Sequence, residues 1–400
     1  MTARKLHIAL YSPGTVGLGH LRRNLLIAQA LAESGLQSIQ LLITEAREAS
    51  AFVNAMPPGM DCVTLPGLSK GLDGVCKPRY LDLPLRELIN LRSRIIRAAL
   101  KQFQPDLLIV DNLPRGAYRE LDPALKHLKA SGRTRCVLGL RDVLDEPWSV
   151  HEAWFRWKNA EAIQEYYDSI WVYGDPMIYN MIDEYRFPPF VASKIRFIGY
   201  LDQRKRLAFH NGEGTFEALS LPEGRLMLCM VGGGQDGDRL AETFSQAEFP
   251  ADCCGAIVTG PFMPASVYDR LCRRAASEPR LRVFKFINEP ALLTSRADRV
   301  VAMGGYNTVC EVLSFKKRAL IVPRVGARRE QSIRAERLRG LGLIDLLPAE
   351  ALNPGALSEW MSRDLPPLQV DGRINLNGLE QLPRLAQEVL AAPPNGTSAS

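Results

Sequence analysis

Short apolar runs alternate with amphipathic stretches along most of this 400-residue chain. Short apolar runs are typical of buried parallel strands, and the stretches between them have the 3.6-residue period of helices. One series of predicted strands comprises Leu6–Tyr11, Ser38–Ile43, Leu107–Val110, Cys136–Leu140 and Ser169–Val172. A second series comprises Leu226–Val231, Ala256–Thr259, Leu281–Phe286, Arg299–Met303 and Ala319–Val322. This alternation predicts an α/β fold with two parallel sheets.

The length of the chain predicts more than one domain, because a single hydrophobic core stops growing near about 250 to 300 residues. We expect Rossmann-like domains over residues 1–200 and 225–372. The polar, glycine-containing segment 201–224 predicts the linker between them, and helical spacing predicts a C-terminal helix within 373–392. Residues 393–400 are polar and predict a disordered tail.

Composition excludes several classes of protein. With 46% hydrophobic and 24% charged residues, the chain is typical of a soluble globular protein. Its net charge of +6 is spread without a dense basic stripe, which argues against nucleic acid as a partner. The eight cysteines form no CxxC pair and predict reduced cytoplasmic thiols. No secretion signal and no apolar run of about 18 residues is present, so we expect neither secretion nor a membrane span.

One predicted helix, over residues 85–103, bears on contact with membranes. It could lie on an anionic membrane surface or be an ordinary solvated face. We therefore expect a cytoplasmic protein with at most peripheral contact at the inner face of the membrane. The basic residues of this helix, which stand beside apolar ones, are Arg86, Arg92, Arg94, Arg97 and Lys101.

A glycine-rich turn follows the first strand of each series. The first contains Gly17 and Gly19 and ends at His20, and the second contains Gly232, Gly233, Gly234 and Gln235. Each turn leads into a helix, so free N–H groups would face an anion or a polar substrate. A tight turn with no ligand is the alternative. The glycine order GxxGxG of the first turn differs from the GxGxxG of dinucleotide folds and argues against NAD.

Asp236 and Asp238 follow the second turn with the DxD spacing that elsewhere holds a divalent metal on a nucleotide-sugar diphosphate. A simpler interpretation is that these acids cap the following helix, because Asp is favoured at the N-cap and in the first turn. We predict that the protein uses neither a metal nor another cofactor.

Four motifs in the second half carry a resemblance to a known family: Phe286–Glu289, Ala297–Glu311, Ala319–Arg324 and Arg329–Gln331. They resemble the donor-binding half of the family 28 glycosyltransferases, whose best-known member adds N-acetylglucosamine to a lipid-linked peptidoglycan precursor. The resemblance covers most of residues 226–345 and, in the first half, the loop that ends at Gly19 and His20. It implies a GT-B fold, with two Rossmann-like domains facing across a cleft. The N-terminal domain would bind the acceptor and the C-terminal domain the nucleotide sugar.

The resemblance also implies roles for single residues. Glu311 would accept hydrogen bonds from the ribose hydroxyls, although Thr308 and Glu311 also have the spacing of a capping box. Phe286 and Ile287 would hold the base, or Phe286 would be a buried strand end. Glu330 and Gln331 would contact the donor sugar, and Glu330 replaces a glutamine of the family. The residues facing the diphosphate would be Gly304, Gly305, Asn307 and Thr308, with Gly232, Gly233, Gly234 and Gln235 on the other side.

Inverting transfer needs a base that takes the proton of the acceptor hydroxyl, and His20 is the candidate. Asp111 ends another strand of the same half and would orient His20 or fix the acceptor, or would merely satisfy backbone N–H groups. Gly17 and Gly19 would form the acceptor loop.

These observations predict an inverting glycosyltransferase that moves a hexose-type sugar from a nucleotide-diphosphate sugar, a UDP-sugar, to an acceptor hydroxyl. The acceptor would be lipid-linked or a small metabolite. Two alternatives stay open: a nucleotide-sugar hydrolase on the same fold and a non-catalytic nucleotide-sugar sensor or scaffold.

Overall fold

The computed structural model describes residues 4–13, 18–47, 52, 55–70, 76–208, 219–326 and 328–392. The described residues form two compact units. The first unit combines residues from the ranges 1–176, 180–201 and 377–400, and the second combines 177–179 with 202–376. Residue Gly17 and the tail 393–400, for which the sequence makes predictions, lie outside the described residues.

The first unit contains, within its described part, a parallel sheet of seven strands in the order β3-β2-β1-β6-β7-β8-β9. All five strands predicted for this half are present. A separate antiparallel hairpin pairs β4 with β5. The strands are β1 (Leu6–Ser12), β2 (Ser38–Thr44), β3 (Met60–Thr64), β4 (Leu68–Lys70), β5 (Cys76–Pro78), β6 (Leu107–Asp111), β7 (Arg135–Arg141), β8 (Ser169–Tyr173) and β9 (Ile195–Phe197).

Helices cover this first sheet. Helix α1 (Gly19–Glu33) has a buried apolar face, formed by Leu21, Leu25, Ala28 and Leu31. The helices of this part of the chain are α1 (Gly19–Glu33), α2 (Leu85–Phe103), α3 (Asp122–Ser131), α4 (Pro147–Trp157), α5 (Asn159–Tyr166), α6 (Met181–Tyr185) and α7 (Pro189–Ala192).

Helix α2 corrects one reading of the sequence, because its basic residues do not all lie on one solvated face. Arg92 belongs to the buried face of α2 and is fully inaccessible to solvent. Its guanidinium lies 2.8 Å from Glu45 and binds Glu120 through Nε at 2.5 Å. Two carboxylates therefore compensate the buried cation, as burial of a charge requires. The other four basic residues of this helix are exposed.

The second unit contains, among its described residues, a parallel sheet in the order β12-β11-β10-β13-β14-β15. The five strands predicted for this half are present, and the sheet adds the short β15. The strands are β10 (Arg225–Met230), β11 (Cys253–Val258), β12 (Leu281–Phe284), β13 (Ala297–Ala302), β14 (Arg318–Ile321) and β15 (Asp345–Leu346). The helices are α8 (Lys205–Ala208), α9 (Asp238–Gln246), α10 (Ala265–Ala276), α11 (Ala291–Arg296), α12 (Tyr306–Ser314), α13 (Glu330–Gly340) and α14 (Pro354–Ser362). The predicted α/β fold with two parallel sheets is confirmed.

The C-terminal helix α15 (Gly378–Ala391) belongs to the first unit. The chain enters it through a bridge between Leu201 and Asn377 and a hydrogen bond from the Gly378 N–H to the Tyr200 carbonyl. Gly378 fits because a Cβ there would lie only 2.6 Å from the carbonyl oxygen of Gly199. The predicted helix is therefore present, but the units do not divide the chain at the ends of the predicted linker 201–224. Residues 202–208, with helix α8, belong to the second unit.

Each sheet reverses its direction of strand addition beside its first strand. In the first sheet the reversal lies between β1 and β6, and in the second it lies between β10 and β13. At such a point the connections leave toward opposite sides, and a crevice opens at the carboxyl ends of the two strands. The topology therefore marks one candidate ligand-binding position in each unit.

No helix in the described part of the chain is long and apolar enough to cross a bilayer.

Candidate functional site

The reversal point of the first sheet brings together His20 and Asp111. Asp111 is the last residue of β6, and His20 is the second residue of α1, which follows β1. Nδ1 of His20 lies 2.8 Å from Oδ2 of Asp111. The Asp111 side chain is almost fully buried, whereas 21% of the His20 side chain remains exposed. The two residues proposed from sequence as a catalytic pair therefore contact each other.

Two further residues of α1 hold the Asp111 carboxylate. Nη2 of Arg23 donates to both carboxylate oxygens at 2.7 Å, and the Asn24 amide donates to Oδ2 at 3.0 Å. Burial alone would raise the pKa of the Asp111 carboxyl. The charge of Arg23, followed by that of His20, outweighs burial and keeps this pKa well below its usual range. Asp111 is therefore ionised.

An ionised carboxylate only accepts hydrogen bonds, so the contact with Asp111 assigns the proton of the neutral His20 ring to Nδ1. Nε2 then carries the lone pair. Nη2 of Arg23, 2.8 Å from Nδ1, is a second donor to Asp111 and not a partner of the ring nitrogen. Burial lowers the pKa of His20 from its ordinary value of 6.5, and Asp111 offsets this only in part. The ring is thus neutral near pH 7 and able to accept a proton at Nε2.

The reversal point of the second sheet lies between two glycine turns. The turn after β10 contains Gly232, Gly233, Gly234 and Gln235, and the turn after β13 contains Gly304 and Gly305. Gly234 has φ +89°, and a Cβ there would lie 2.2 Å from the carbonyl oxygen of Thr259. Gly304 has φ +83°, and its Cβ would lie 2.7 Å from the Ile321 side chain. These two positions need glycine on steric grounds.

Gly305 differs from these two glycines. It is the N-cap of α12, with φ −59° and ψ 149°, and a Cβ on it would meet no atom within 4 Å. The space around the Cβ position of Gly305 is therefore open. Asn307 and Thr308 occupy the second and third positions of α12, so Gly304, Gly305, Asn307 and Thr308, four of the predicted diphosphate residues, lie together at one helix N-terminus.

Helix α12 excludes the capping-box interpretation of Thr308 and Glu311. The N-cap is Gly305, so Thr308 lies inside the helix. The Glu311 carboxylate instead accepts hydrogen bonds from Nη1 of Arg206 at 2.8 Å and from the Thr294 hydroxyl at 3.2 Å. Only 5% of the Glu311 side chain is exposed. A ribose-binding role for Glu311 stays a prediction, and any such contact would share the carboxylate with Arg206.

Arg206 also connects Glu311 to the segment predicted to hold the base. Its Nη2 lies 2.6 Å from Glu289, two residues after Ile287. Strand β12 ends at Phe284, earlier than predicted, and Phe286 is 36% exposed. The interpretation of Phe286 as a buried strand end is therefore wrong. Ile287 is half-buried in the same loop.

Glu330 and Gln331, the predicted sugar contacts, are the first two residues of α13 and are buried. Both bind Arg324. Nη2 of Arg324 donates to Glu330 at 2.5 Å, and the backbone N–H of Arg324 donates to Oε1 of Gln331 at 3.0 Å. Nη1 of Arg324 also lies 3.4 Å from Oδ2 of Asp236. The predicted sugar-binding acid is therefore already paired with a cation.

The helix-capping interpretation of the DxD acids holds for Asp238, which lies in the first turn of α9, but not for Asp236, which lies outside the helix. The N-cap of α9 is Gly237, without a side-chain cap hydrogen bond. Asp236 faces Arg324. In the part of the chain that the structure describes, no three His, Cys, Asp or Glu side chains are grouped as a metal site.

Sequence reasoning assigned no role to Arg206 or Arg324 and no contact to Asn24. Arg23 and Asn24 could have been found, because three- and four-residue spacing places them beside His20 on α1. Arg206 carries no such signal, since it lies in a polar segment that resembles a linker. Arg324 stands within a quoted motif, but its partners depend on how β14 and the turn after β10 lie together.

No protein-family model and no curated protein matches this sequence. Solved structures do match over nearly the whole chain. MurG from Acinetobacter baumannii has a TM-score of 0.57 and 16% identity, covering 96% of this chain and 99% of that one. A UDP-glucosyltransferase from Polygonum tinctorium that glucosylates indoxyl has 0.59 and 15%, covering 98% and 96%. The UDP-GlcNAc 2-epimerase of Methanocaldococcus jannaschii has 0.62 and 13%, covering 96% and 100%.

These likenesses define the class of fold: the chain has the GT-B fold. At 13% to 16% identity they show the fold alone. The resemblance to family 28 stays a prediction from the motifs.

Proposed function

We propose that this protein is an inverting glycosyltransferase that moves a hexose-type sugar from a UDP-sugar to an acceptor hydroxyl. The observation that carries the proposal is the contact between His20 and an ionised Asp111 at the reversal point of the first sheet. This contact leaves Nε2 of a neutral imidazole as a proton acceptor. Glycosyl transfer with inversion needs such a base for the attacking hydroxyl.

In this proposal the first unit supplies the base and binds the acceptor. As the hydroxyl attacks the anomeric carbon, its proton moves to Nε2 of His20 and the ring becomes cationic. Asp111 stabilises that cation through Nδ1–H, and Arg23 and Asn24 keep the carboxylate in place. The neutral ground state follows from the lowered pKa of His20.

The second unit binds the donor. The open space at Gly305 and the N-terminus of α12 suit a diphosphate, because the helix N–H groups stabilise the charge that develops on the leaving group. Glu311 lies one turn further along α12 and would accept from the ribose hydroxyls. Phe286, with its exposed ring, and Ile287 would hold the base. Glu330 and Gln331 would line the subsite that holds the donor sugar.

Two rival functions use the same donor site. A nucleotide-sugar hydrolase would let water attack in place of an acceptor, and a sensor or scaffold would bind donor without turnover. The ordered pair of His20 and Asp111 favours catalysis. The rest of the proposal is a cytoplasmic enzyme, at most peripheral at the membrane, with a lipid-linked or small acceptor.

We expect a UDP-sugar at a hundredfold excess over its Kd to stabilise the protein by about 2.7 kcal/mol, without added metal. Protein groups such as the backbone N–H groups of α12, and not a metal ion, would face the diphosphate. Thermal unfolding of the full chain in EDTA, with UDP-glucose and UDP-N-acetylglucosamine as ligands, measures this as a rise in Tm. Free glucose at the same concentration is the control and should have no effect. Stabilisation seen only with magnesium or manganese would contradict metal-independent binding.

A further inference from the structure

An ion pair between Arg324 and Asp236 joins loops on the two sides of the reversal point of the second sheet. Arg324 follows β14, and its partner Asp236 lies in the turn after β10. Strand β13 lies between these two strands in the sheet, so the ends that carry Arg324 and Asp236 are about 10 Å apart. The contact between Arg324 and Asp236 therefore joins the loops that follow the two strands flanking β13. The turn at Gly304 and Gly305 and the N-terminus of α12 follow the carboxyl end of β13.

The two carboxylates that Arg324 touches differ in burial and distance. Glu330 is buried, with 8% of its side chain exposed, and binds the guanidinium at 2.5 Å. The Asp236 side chain is 45% exposed and lies at 3.4 Å. Glu330 therefore anchors Arg324, whereas Asp236 makes a loose, solvent-screened contact of the kind that contributes little stability. The Asp236 carboxylate therefore shows a position at which the Arg324 guanidinium can bind an anion.

We propose that Arg324 is a diphosphate-binding residue, and that Asp236 occupies its free side until the donor arrives. The inference rests on the proposed function, because it assigns a contact within that donor site. Donor binding replaces the Asp236 carboxylate with a phosphate oxygen at Nη1 of Arg324, while Glu330 keeps its hold on Nη2. A phosphate oxygen is a strong acceptor for a guanidinium. Arg324 thus supplies the positive charge that a divalent metal supplies in other nucleotide-sugar sites.

The arrangement gives Arg324 and Asp236 opposite effects on the same affinity. Removing the Arg324 charge takes away a phosphate ligand. Removing the Asp236 charge takes away a competitor for Arg324 and a carboxylate that repels the diphosphate. A purely structural ion pair would behave differently, because removing either partner would then change the UDP affinity in the same direction.

The test is calorimetric titration of the full chain with UDP and with uridine, in EDTA and at low and high salt. We expect Arg324→Gln to weaken UDP binding about tenfold and Asp236→Asn to strengthen it by a few-fold. Uridine, which lacks phosphate, should bind both variants as it binds the wild type. Arg328→Gln, which makes the same charge change at an exposed position of the same loop, should leave UDP affinity unchanged.

Three other outcomes would overturn the proposal. Equal weakening of UDP binding by both variants, with a lower Tm in both, would make the contact a structural brace. Equal losses for UDP and uridine would place Arg324 away from the phosphates. Wild-type protein that fails to bind UDP at all would instead remove the proposed function itself, and this inference with it.

Discussion

Replacing His20 with alanine is expected to lower kcat by about 10² to 10⁴ while leaving the Kd for the UDP-sugar near its original value. The imidazole supplies the proton acceptor, and the donor-binding residues belong to the second unit. Folding should survive, because Asp111 keeps its bonds to Arg23 and Asn24 when the ring is removed. Single-turnover transfer and donor titration of the purified variant measure the two quantities separately.

The matched control is His127→Ala, which removes a half-buried histidine of α3 in the same unit. It should retain wild-type turnover. If His20→Ala instead lowers Tm while the folded fraction turns over normally, His20 only packs the turn before α1.

The pH dependence of the reaction provides a second readout of His20. Because burial lowers its pKa, the ring stays neutral until the pH falls below 6.5, and the acid limb of kcat/KM should lie below that value. Asp111 acts in the opposite direction and raises this pKa. Asp111→Asn should therefore move the acid limb to still lower pH as well as reduce the rate. If the acid limb of kcat/KM lies at the same pH in Asp111→Asn as in the wild type, a group other than His20 titrates there.

The second large effect concerns the donor. Gly305→Ala should weaken UDP-sugar binding by about 10- to 100-fold and leave Tm nearly unchanged. The φ and ψ of Gly305 suit any residue, and the new methyl group meets no atom of the protein within 4 Å. It would instead occupy the open space around Gly305 and separate phosphate oxygens from the helix N–H groups. Hydrogen bonds to charged groups contribute about 1.5 to 3 kcal/mol, which corresponds to the expected range.

Gly340→Ala is the control for this substitution, because a Cβ at Gly340 also meets no atom within 4 Å. Gly340 ends α13, away from the helix starts at the reversal point. Calorimetry with UDP-sugar should show wild-type affinity for it. Unchanged affinity in Gly305→Ala as well would mean that the diphosphate does not approach the N-terminus of α12.

The sequence is informative where burial is continuous. Buried parallel strands are apolar on both faces, so all ten predicted strands could be read from apolar runs, and the glycine turns could be read from residues that follow them. The pair of His20 and Asp111 could also be anticipated, because Asp111 ends one strand of the parallel sheet and His20 follows the turn after another. The short edge strands β3, β9 and β15 were not predicted, because their apolar runs are brief or partly polar.

Sequence patterns do not predict that a charged residue is buried when its partners are distant along the chain. Arg92 looks like a surface residue until Glu45 and Glu120 are brought to it. Arg206 similarly lies in a polar segment, yet it binds Glu311 from 105 positions away. Such ion pairs depend on the completed fold and leave no periodic signal.

The fold alone leaves the reaction open, because solved structures similar to this chain include both glycosyltransferases and UDP-GlcNAc 2-epimerases. These reactions are distinguished by what happens to the sugar of the donor. A transferase passes it to an acceptor, a hydrolase to water, and an epimerase returns an isomer.

The most direct test is therefore to identify the product that the 400-residue chain forms from isotope-labelled UDP-sugar, in EDTA, with and without a fractionated cell extract as the acceptor source. Mass spectrometry and NMR follow the label. We expect release of UDP that depends on the extract, with the label in a new glycoside of inverted anomeric configuration, and a large decrease of both in His20→Ala. Free labelled sugar or an epimer, formed equally without extract, would contradict the proposed function.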